Sequence, residues 1–339
     1  MTVLHVHEIR NDVDLCLHNG MLNTDAVGWS RKPHHRCNLS GAWRRKKRWN
    51  YWCVTSERFL FSVAVASLDY AGSVFAYLLD LETGEFVEDT ILIPLGRGLS
   101  LPGKVEADIR YENRRVGCAF TYKPESIHLD LNWPAFKGKP LKANIEIPRD
   151  RTRESLNVVV PWSMHQFQFT SKQPCLPATG TIHHGDKAWN FDQGAAHACL
   201  DFGRGIWPRR IAWNWASFWT QSGSTLVGFN GGGKWTDNTG SNENGVILNG
   251  RLHKFHEPLE FMFDPKDYRS PWRIRTLFSD TVDLKLTPVF DRAAKTNLMV
   301  VRSEMHQLIG HFDGYIRVNE TEIPIERAVG WAEDHSAVW

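Results

Sequence analysis

Apolar and polar residues alternate with a period of two along most of this chain. From Lys104 to Tyr111, the side chains of Val105, Ala107, Ile109 and Tyr111 fall on one face of an extended segment and charged residues on the other, which predicts a half-buried strand. The same pattern predicts strands at 59–67, 73–80, 115–122, 126–133, 142–147, 156–160 and 167–170 in the first half. In the second half it predicts them at 210–216, 225–230, 245–248, 251–255, 259–263, 272–278, 282–288, 298–309 and 312–318. Turn signals such as Glu82-Thr-Gly-Glu, Glu112-Asn-Arg and Lys137-Gly-Lys-Pro separate them. Helical stripes are scarce, and 16 prolines and 26 glycines punctuate the segments.

Many short strands with frequent turns predict an all-β protein of antiparallel sandwiches or barrels, and 339 residues are enough for two of them. The Pro- and Gly-containing run Ser171 to Gly180 is the best boundary, dividing the chain into β-domains 1–172 and 173–339. Three Gly-x-Trp triplets, Gly41-Ala-Trp43, Gly205-Ile-Trp207 and Gly233-Lys-Trp235, tilt the reading toward a ligand-holding barrel of lipocalin type, in which such an indole closes one end under a basic residue.

Lys and Arg total 40 against 38 Asp and Glu, a balance that carries no nucleic-acid footprint. The basic run Arg44 to Arg48 reads as a solvated face, with transient contact to lipid headgroups as the alternative. The N-terminal residues lack an apolar signal core, and no run of about 18 apolar residues could form an integral membrane segment. Six scattered cysteines without a CxxC pair read as free thiols in a reducing cytoplasm; Asn38-Leu-Ser and Asn319-Glu-Thr then read as chance sequons.

Several motifs fall short of a known chemistry. Gly228 to Lys234 has the spacing of a phosphate-binding loop, but Trp235 stands where Ser or Thr must hold magnesium and no helix can follow. His183-His184-Gly-Asp186, His253-Lys-Phe-His256 and Glu304-Met-His306 do not by spacing assemble a metal site. Glu304 and His306 share a strand face, as an acid/base pair or as a structural pair. The segment Asp201 to Trp219 concentrates four tryptophans, three arginines and one aspartate. Trp213 and Trp215 share a strand face and could line a pocket. Asp201 reads as a structural ion pair with nearby arginines or, if apolar walls desolvate it, as a general acid.

These segments carry a resemblance. Asp201 to Ala216, Gly232-Gly-Lys-Trp-Thr-Asp, Glu243-Asn, Gly250-Arg-Leu-His-Lys, Pro271-Trp-Arg-Ile-Arg and Ala294-Lys-Thr-Asn-Leu, with Cys37-Asn-Leu-Ser-Gly and Lys47-Arg-Trp-Asn-Tyr-Trp-Cys, resemble the domain-of-unknown-function 2804 family over nearly the whole chain. More distantly, that family is similar to the lipocalin-like superfamily of carotenoid hydratases, tocopherol cyclase and fungal lipocalin-like cyclases. The resemblance implies two tandem lipocalin-like barrels enclosing an apolar or isoprenoid ligand, acted on by acid/base chemistry or simply carried.

The candidate pocket is more charged than a hydrocarbon site needs. Asp201, Arg204, Lys234, Glu243 and Asn244 suit a polar or anionic head, and Trp207, Trp213, Trp215 and Trp219 suit a ring or apolar tail. Arg210, Asn230, Trp272 and Arg273 complete the ligand-binding set. The expectation is a soluble protein enclosing a small amphipathic molecule, with hydration, isomerisation or cyclisation catalysed without a metal or other cofactor. Asp201 or Glu243 would supply the proton and His306 with Glu304 would be a reserve pair. A non-catalytic lipid carrier is the first alternative. A carbohydrate-active protein using Asp237 and Glu243 is the second.

Overall fold

A computed structural model describes residues 6–298 and 301–338. Its regular structure is almost all strand, and no α-helix occurs among the described residues; a single 3-10 turn spans Thr24–Ala26. Two curled antiparallel sheets dominate. The first orders its main strands as Phe86–Pro94, Ala71–Asp80, Phe59–Ser67, Lys46–Thr55, Lys187–Ile206, Gln166–His184, Lys139–Pro148, Ser126–Phe136, Gly117–Tyr122 and Ile109–Glu112. Leu156–Ser163 pairs with the other half of Gln166–His184 and carries Trp29–Ser30 on its far side. The second sheet runs Arg251–Lys254, Gly245–Leu248, Thr225–Gly233, Arg210–Ser222, Thr321–Val338, Val301–Val318, Val282–Leu298, Trp272–Thr276 and Leu259–Met262.

Sheet membership changes between Ile206 and Arg210, not at 172/173. The run Ser171 to Gly180 lies inside the strand Gln166–His184, where the register shifts between Gln173 and Leu176 and Cys175 takes φ +59°. Pro174 is thus absorbed in a β-bulge, one of the few places a strand tolerates proline. Other differences have related causes. Lys46–Thr55 and Lys187–Ile206 lie at the centre of the first sheet with neighbours on both sides; in Lys46–Thr55 and in residues 196–206, burial on both faces erases alternation. Phe86–Pro94 and Thr321–Val338 were likewise not predicted. Of the strand expected at 104–111, only Ile109–Glu112 forms, and the expected strands at 298–309 and 312–318 are one strand, Val301–Val318, bulged between Phe312 and Gly314. Residues 299–300 of that expectation, and residues 1–5 of the N-terminal reading, lie outside the described residues.

Each sheet wraps its own core. Trp52, Phe120, Phe136 and Phe167 are buried in the first; Phe218, Phe229, Trp272 and Phe312 in the second. A third cluster, including Tyr51, Leu60, Tyr77, Trp215, Ile309 and Trp331, fills the space between the sheets. Polar ties cross the same interface: Trp219 Nε1 donates to Thr55 Oγ1 at 2.8 Å, and Tyr77 Oη donates to Gln307 Oε1 at 2.9 Å. All six cysteines are buried and free of disulfides. No helix is long and apolar enough to cross a membrane among the described residues.

Trp272, expected at a ligand site, is fully buried in the second core with Phe263 stacked 4.0 Å from it. Trp272→Ala should therefore cost about 3–5 kcal/mol, the range for deleting a buried tryptophan. Urea unfolding reads this directly, and a loss below about 1 kcal/mol would contradict a core role.

Candidate functional site

A cavity of about 270 Å³ opens between the two sheets. Trp49, Trp207, Trp213, Trp215, Trp235 and Phe75 supply most of its apolar wall, and six basic or acidic side chains, Lys47, Lys172, Asp201, Glu243, Arg292 and Glu333, share the lining with His335 and Tyr51. Two Gly-x-Trp triplets place their indoles here, Trp207 and Trp235 lying near-parallel with centroids 6.5 Å apart. The third, Trp43, stands outside and is 58% exposed.

At the centre is a buried ammonium. Lys172 faces Asp201 across the register of Gln166–His184 and Lys187–Ile206, so its Nζ lies 3.0 Å from Asp201 Oδ1. The second sheet supplies the other counter-charge, Glu243 Oε2, at 3.2 Å. The ammonium also sits 4.2 Å from the Trp215 ring centroid, a cation–π contact in a desolvated site. Burial alone would favour neutral lysine, but the charges of Asp201 and Glu243 outweigh it and raise the Lys172 pKa.

The surroundings hold these carboxylates in place. Thr170 Oγ1 donates to Asp201 Oδ1 at 3.2 Å. Trp235 Nε1 donates to Glu243 Oε1 at 2.9 Å, and Asn230 Nδ2 donates to the Glu243 carbonyl at 2.6 Å. Asn230 Oδ1 in turn accepts from Trp215 Nε1 at 2.8 Å. Asn244 Oδ1 accepts the Gly232 N–H at 2.8 Å. Gly232 is required for space: a Cβ there would stand 2.2 Å from Glu243 Oε1. The glycine run that resembles a phosphate loop thus makes room for a carboxylate. Burial raises the Glu243 pKa, Lys172 pulling the other way.

A third carboxyl, Glu333, enters from the strand Thr321–Val338. Trp213 Nε1 donates to its Oε2 at 3.3 Å and Gln307 Nε2 to its Oε1 at 2.8 Å. Gln307 is itself held by the cross-sheet bond from Tyr77, whose hydroxyl lies 2.7 Å from that of Tyr51. Burial pushes the Glu333 pKa up to about 7, against the opposing effects of the Trp213 bond and the Arg292 and Lys172 charges. Arg292 stays charged in its ion pair with Glu88 across the sheets, with Nε to Oε2 at 3.0 Å. Burial lowers His335 to about 3, so it is neutral where it packs on Trp213, centroids 3.9 Å apart. Burial likewise brings Lys47 down to about 8, Asp69 partly offsetting it.

Of the expected site residues, Asp201, Glu243, Trp207, Trp213 and Trp215 line the cavity, with Asn230 and Asn244 directly behind it. Arg204 does not offer its fork to a ligand. It is buried and donates to the carbonyls of Pro102, Trp49 and Gly203 and to Asn50 Oδ1. Asp201 accordingly pairs with a lysine rather than an arginine. Trp219 packs on His197 and bonds Thr55. Lys234 pairs with Asp334, Arg273 with Asp283, and Arg210 is exposed on a separate groove. Glu304 and His306 do not pair: Glu304 bonds Lys295, and His306 bonds Asp291 while stacking on Tyr268 at 3.8 Å. Asp237 is exposed, while Glu243 is buried in the cavity. Among the described residues no three His, Cys, Asp or Glu side chains gather as a metal site would need.

Sequence reasoning missed Lys47, Lys172, Arg292 and Glu333. Glu333 carried little signal, because it opens the polar stretch Glu333-Asp-His-Ser directly after the apolar run Ala328 to Ala332. Lys47 is buried because alternation turns it inward from the basic run, while Arg48 pairs with Asp69 at 2.8 Å.

The profile of the family described as "Domain of unknown function (DUF2804)" matches residues 6–339. No curated protein sequence matches the chain. Kievitone hydratase from Nectria haematococca aligns over 86% of this chain and 88% of its own at 13% identity, with a TM-score of 0.51. CghA with Sch210972 covers the same shares at 11% identity and 0.52, and an AttH candidate from Nitrosomonas europaea covers 86% and 92% at 12% and 0.50. At these identities the likeness shows the fold, and it agrees with the expected lipocalin-like, two-barrel class.

The raised pKa of Glu333 has a consequence for stability. Its ordinary value is 4.5 and its folded value about 7, so the folded state holds the extra proton between the two. That stabilisation is complete below about pH 4.5 and is lost as pH rises through about 7. Relative to Glu333→Gln, which cannot titrate, the wild type should lose about 3 kcal/mol over this window. Urea unfolding of both proteins across the range measures the difference; parallel pH profiles would contradict the burial of a titrating carboxyl.

Proposed function

Because the chain belongs to the DUF2804 family, whose description names no reaction, we propose its function from the cavity: it encloses a small amphipathic, unsaturated ligand and catalyses acid/base hydration, isomerisation or cyclisation. The observation that carries this reading is Glu333. It is a buried carboxyl with a pKa of about 7, held by two N–H donors and facing the same aromatic chamber as the Asp201–Lys172–Glu243 cluster. A group poised near neutral pH can both give and take a proton.

In a hydration, the Glu333 O–H bond breaks and its proton forms a C–H bond at one alkene carbon, leaving a cation on the other. The faces of Trp213 and Trp215 stabilise that charge. Water adds to the cation and passes its surplus proton to Asp201 or Glu243, which Lys172 holds in position. Proton return to Glu333 closes the cycle. In isomerisation the cation instead gives up a neighbouring proton to Asp201 or Glu243; in cyclisation a second double bond captures it, and the new cation formed on that bond gives up its neighbouring proton to the same carboxylates. The shared fold with a hydratase supports the class of reaction without naming the substrate.

The test begins with mass spectrometry of small molecules released from denatured, freshly purified protein, followed by incubation of the recovered compound with wild type and variants. Wild type should convert it, Glu333→Gln should bind it yet turn it over ~10²–10⁴-fold more slowly, and turnover should fall as pH rises above about 7. A compound retained stoichiometrically and returned unchanged by wild type would overturn catalysis and leave a carrier.

A further inference from the structure

One end of the molecule combines exposed apolar side chains with basic ones around the cavity. Both sheets present strand ends here. Lys46, Ile206, Ser67 and Pro94 lie at this end of the first sheet, and Arg210 lies at this end of the second, directly after the crossover at 207–209. The lining residues Lys47, Leu68 and Trp207 belong to the same strand ends and turns. The Arg45 carbonyl accepts the Trp207 N–H at 3.0 Å, and the Tyr70 carbonyl accepts the Leu95 N–H at 3.1 Å. The turns of Trp43, Asp69 and Leu95 are therefore joined to the cavity wall.

On these turns Trp43 is 58% and Leu95 55% exposed. Their turns have unusual backbone conformations. Trp43 stands between Ala42 and Arg44, at φ 43° and 71°, and Leu95 is itself at φ 57°. These are conformations that ordinary side chains adopt only when surrounding structure imposes them. Arg44, Arg97, Arg209 and Arg210 are exposed around them. Two carboxylates at this end are already neutralised, Asp69 by Arg48 and Lys46 and Glu304 by Lys295.

We infer that this collar docks the protein on an anionic lipid surface, with Trp43 and Leu95 entering the headgroup region and the arginines pairing with lipid phosphates. Tryptophan is favoured at such interfaces because its ring is apolar and its N–H polar. The arginines supply the electrostatic half of the attraction. A bilayer is also the phase in which an apolar ligand resides, and the collar borders the cavity that would receive it. The docking holds whether or not a reaction follows.

Co-sedimentation tests this with phosphatidylcholine vesicles and with vesicles carrying added phosphatidylglycerol. Wild type should pellet with the anionic vesicles, remain largely in solution with the neutral ones, and be released by raised salt. Trp43→Ala with Leu95→Ser should reduce binding several-fold at low salt, and Arg44→Gln with Arg97→Gln should remove the preference for anionic lipid. All four side chains are exposed, so thermal melting should be unchanged. No binding to anionic vesicles at low salt, or binding that the Trp43/Leu95 variant leaves intact, would overturn the assignment.

Discussion

A charge removed from water must be paired, and the Lys172 ammonium organises this molecule through that requirement. An isolated buried ammonium is too costly to persist, so the chain provides Asp201 from the neighbouring strand and Glu243 from the opposite sheet. The second partner matters most for architecture. It can reach Lys172 only because Gly232 carries no side chain and because Asn230 and Trp235 fix the segment that bears it. One lysine thereby couples the two sheets at the floor of the cavity and explains why polar residues cluster behind an aromatic wall.

The remaining ionisable groups divide by the quality of their partners. Arg292 crosses to Glu88 and stays charged. Arg204 satisfies four acceptors and locks the strands around Trp49. Glu333 has hydrogen-bond donors but no cation within ion-pair distance among the described residues, so burial governs its proton. The chain Tyr51, Tyr77, Gln307, Glu333 then orients a protonatable carboxyl from the interface between the sheets. The paired charges hold the walls and position the carboxylates around Lys172, and Glu333, a carboxyl without a counter-ion among the described residues, faces the ligand space beside them.

Much of the fold was legible because outer strands such as 126–133 and 142–147 bury one face and alternate cleanly. The central strands were not, since Lys46–Thr55 and residues 196–206 bury both faces, and Pro174 in a bulge looks like Pro in a linker. Within the site, tryptophan density and the Asp201 and Glu243 carboxylates were visible locally. Lys172 was not, because a lysine on a strand is ordinarily solvated and only the register opposite Asp201, with a contact arriving from the second sheet, reveals it. Arg204, Lys234 and Arg273 misled for the complementary reason: sequence shows a charge but not the partner that already occupies it.

Infrared difference spectroscopy through a pH titration observes the carboxyl proton itself. With Glu333 as the proton-bearing group, a protonated-carboxyl band should disappear with a midpoint of about 7 and be missing from Glu333→Gln. A wild type with no such band near neutral pH, or a band that survives in the variant, would contradict the assignment of Glu333 as the proton-bearing group of the cavity.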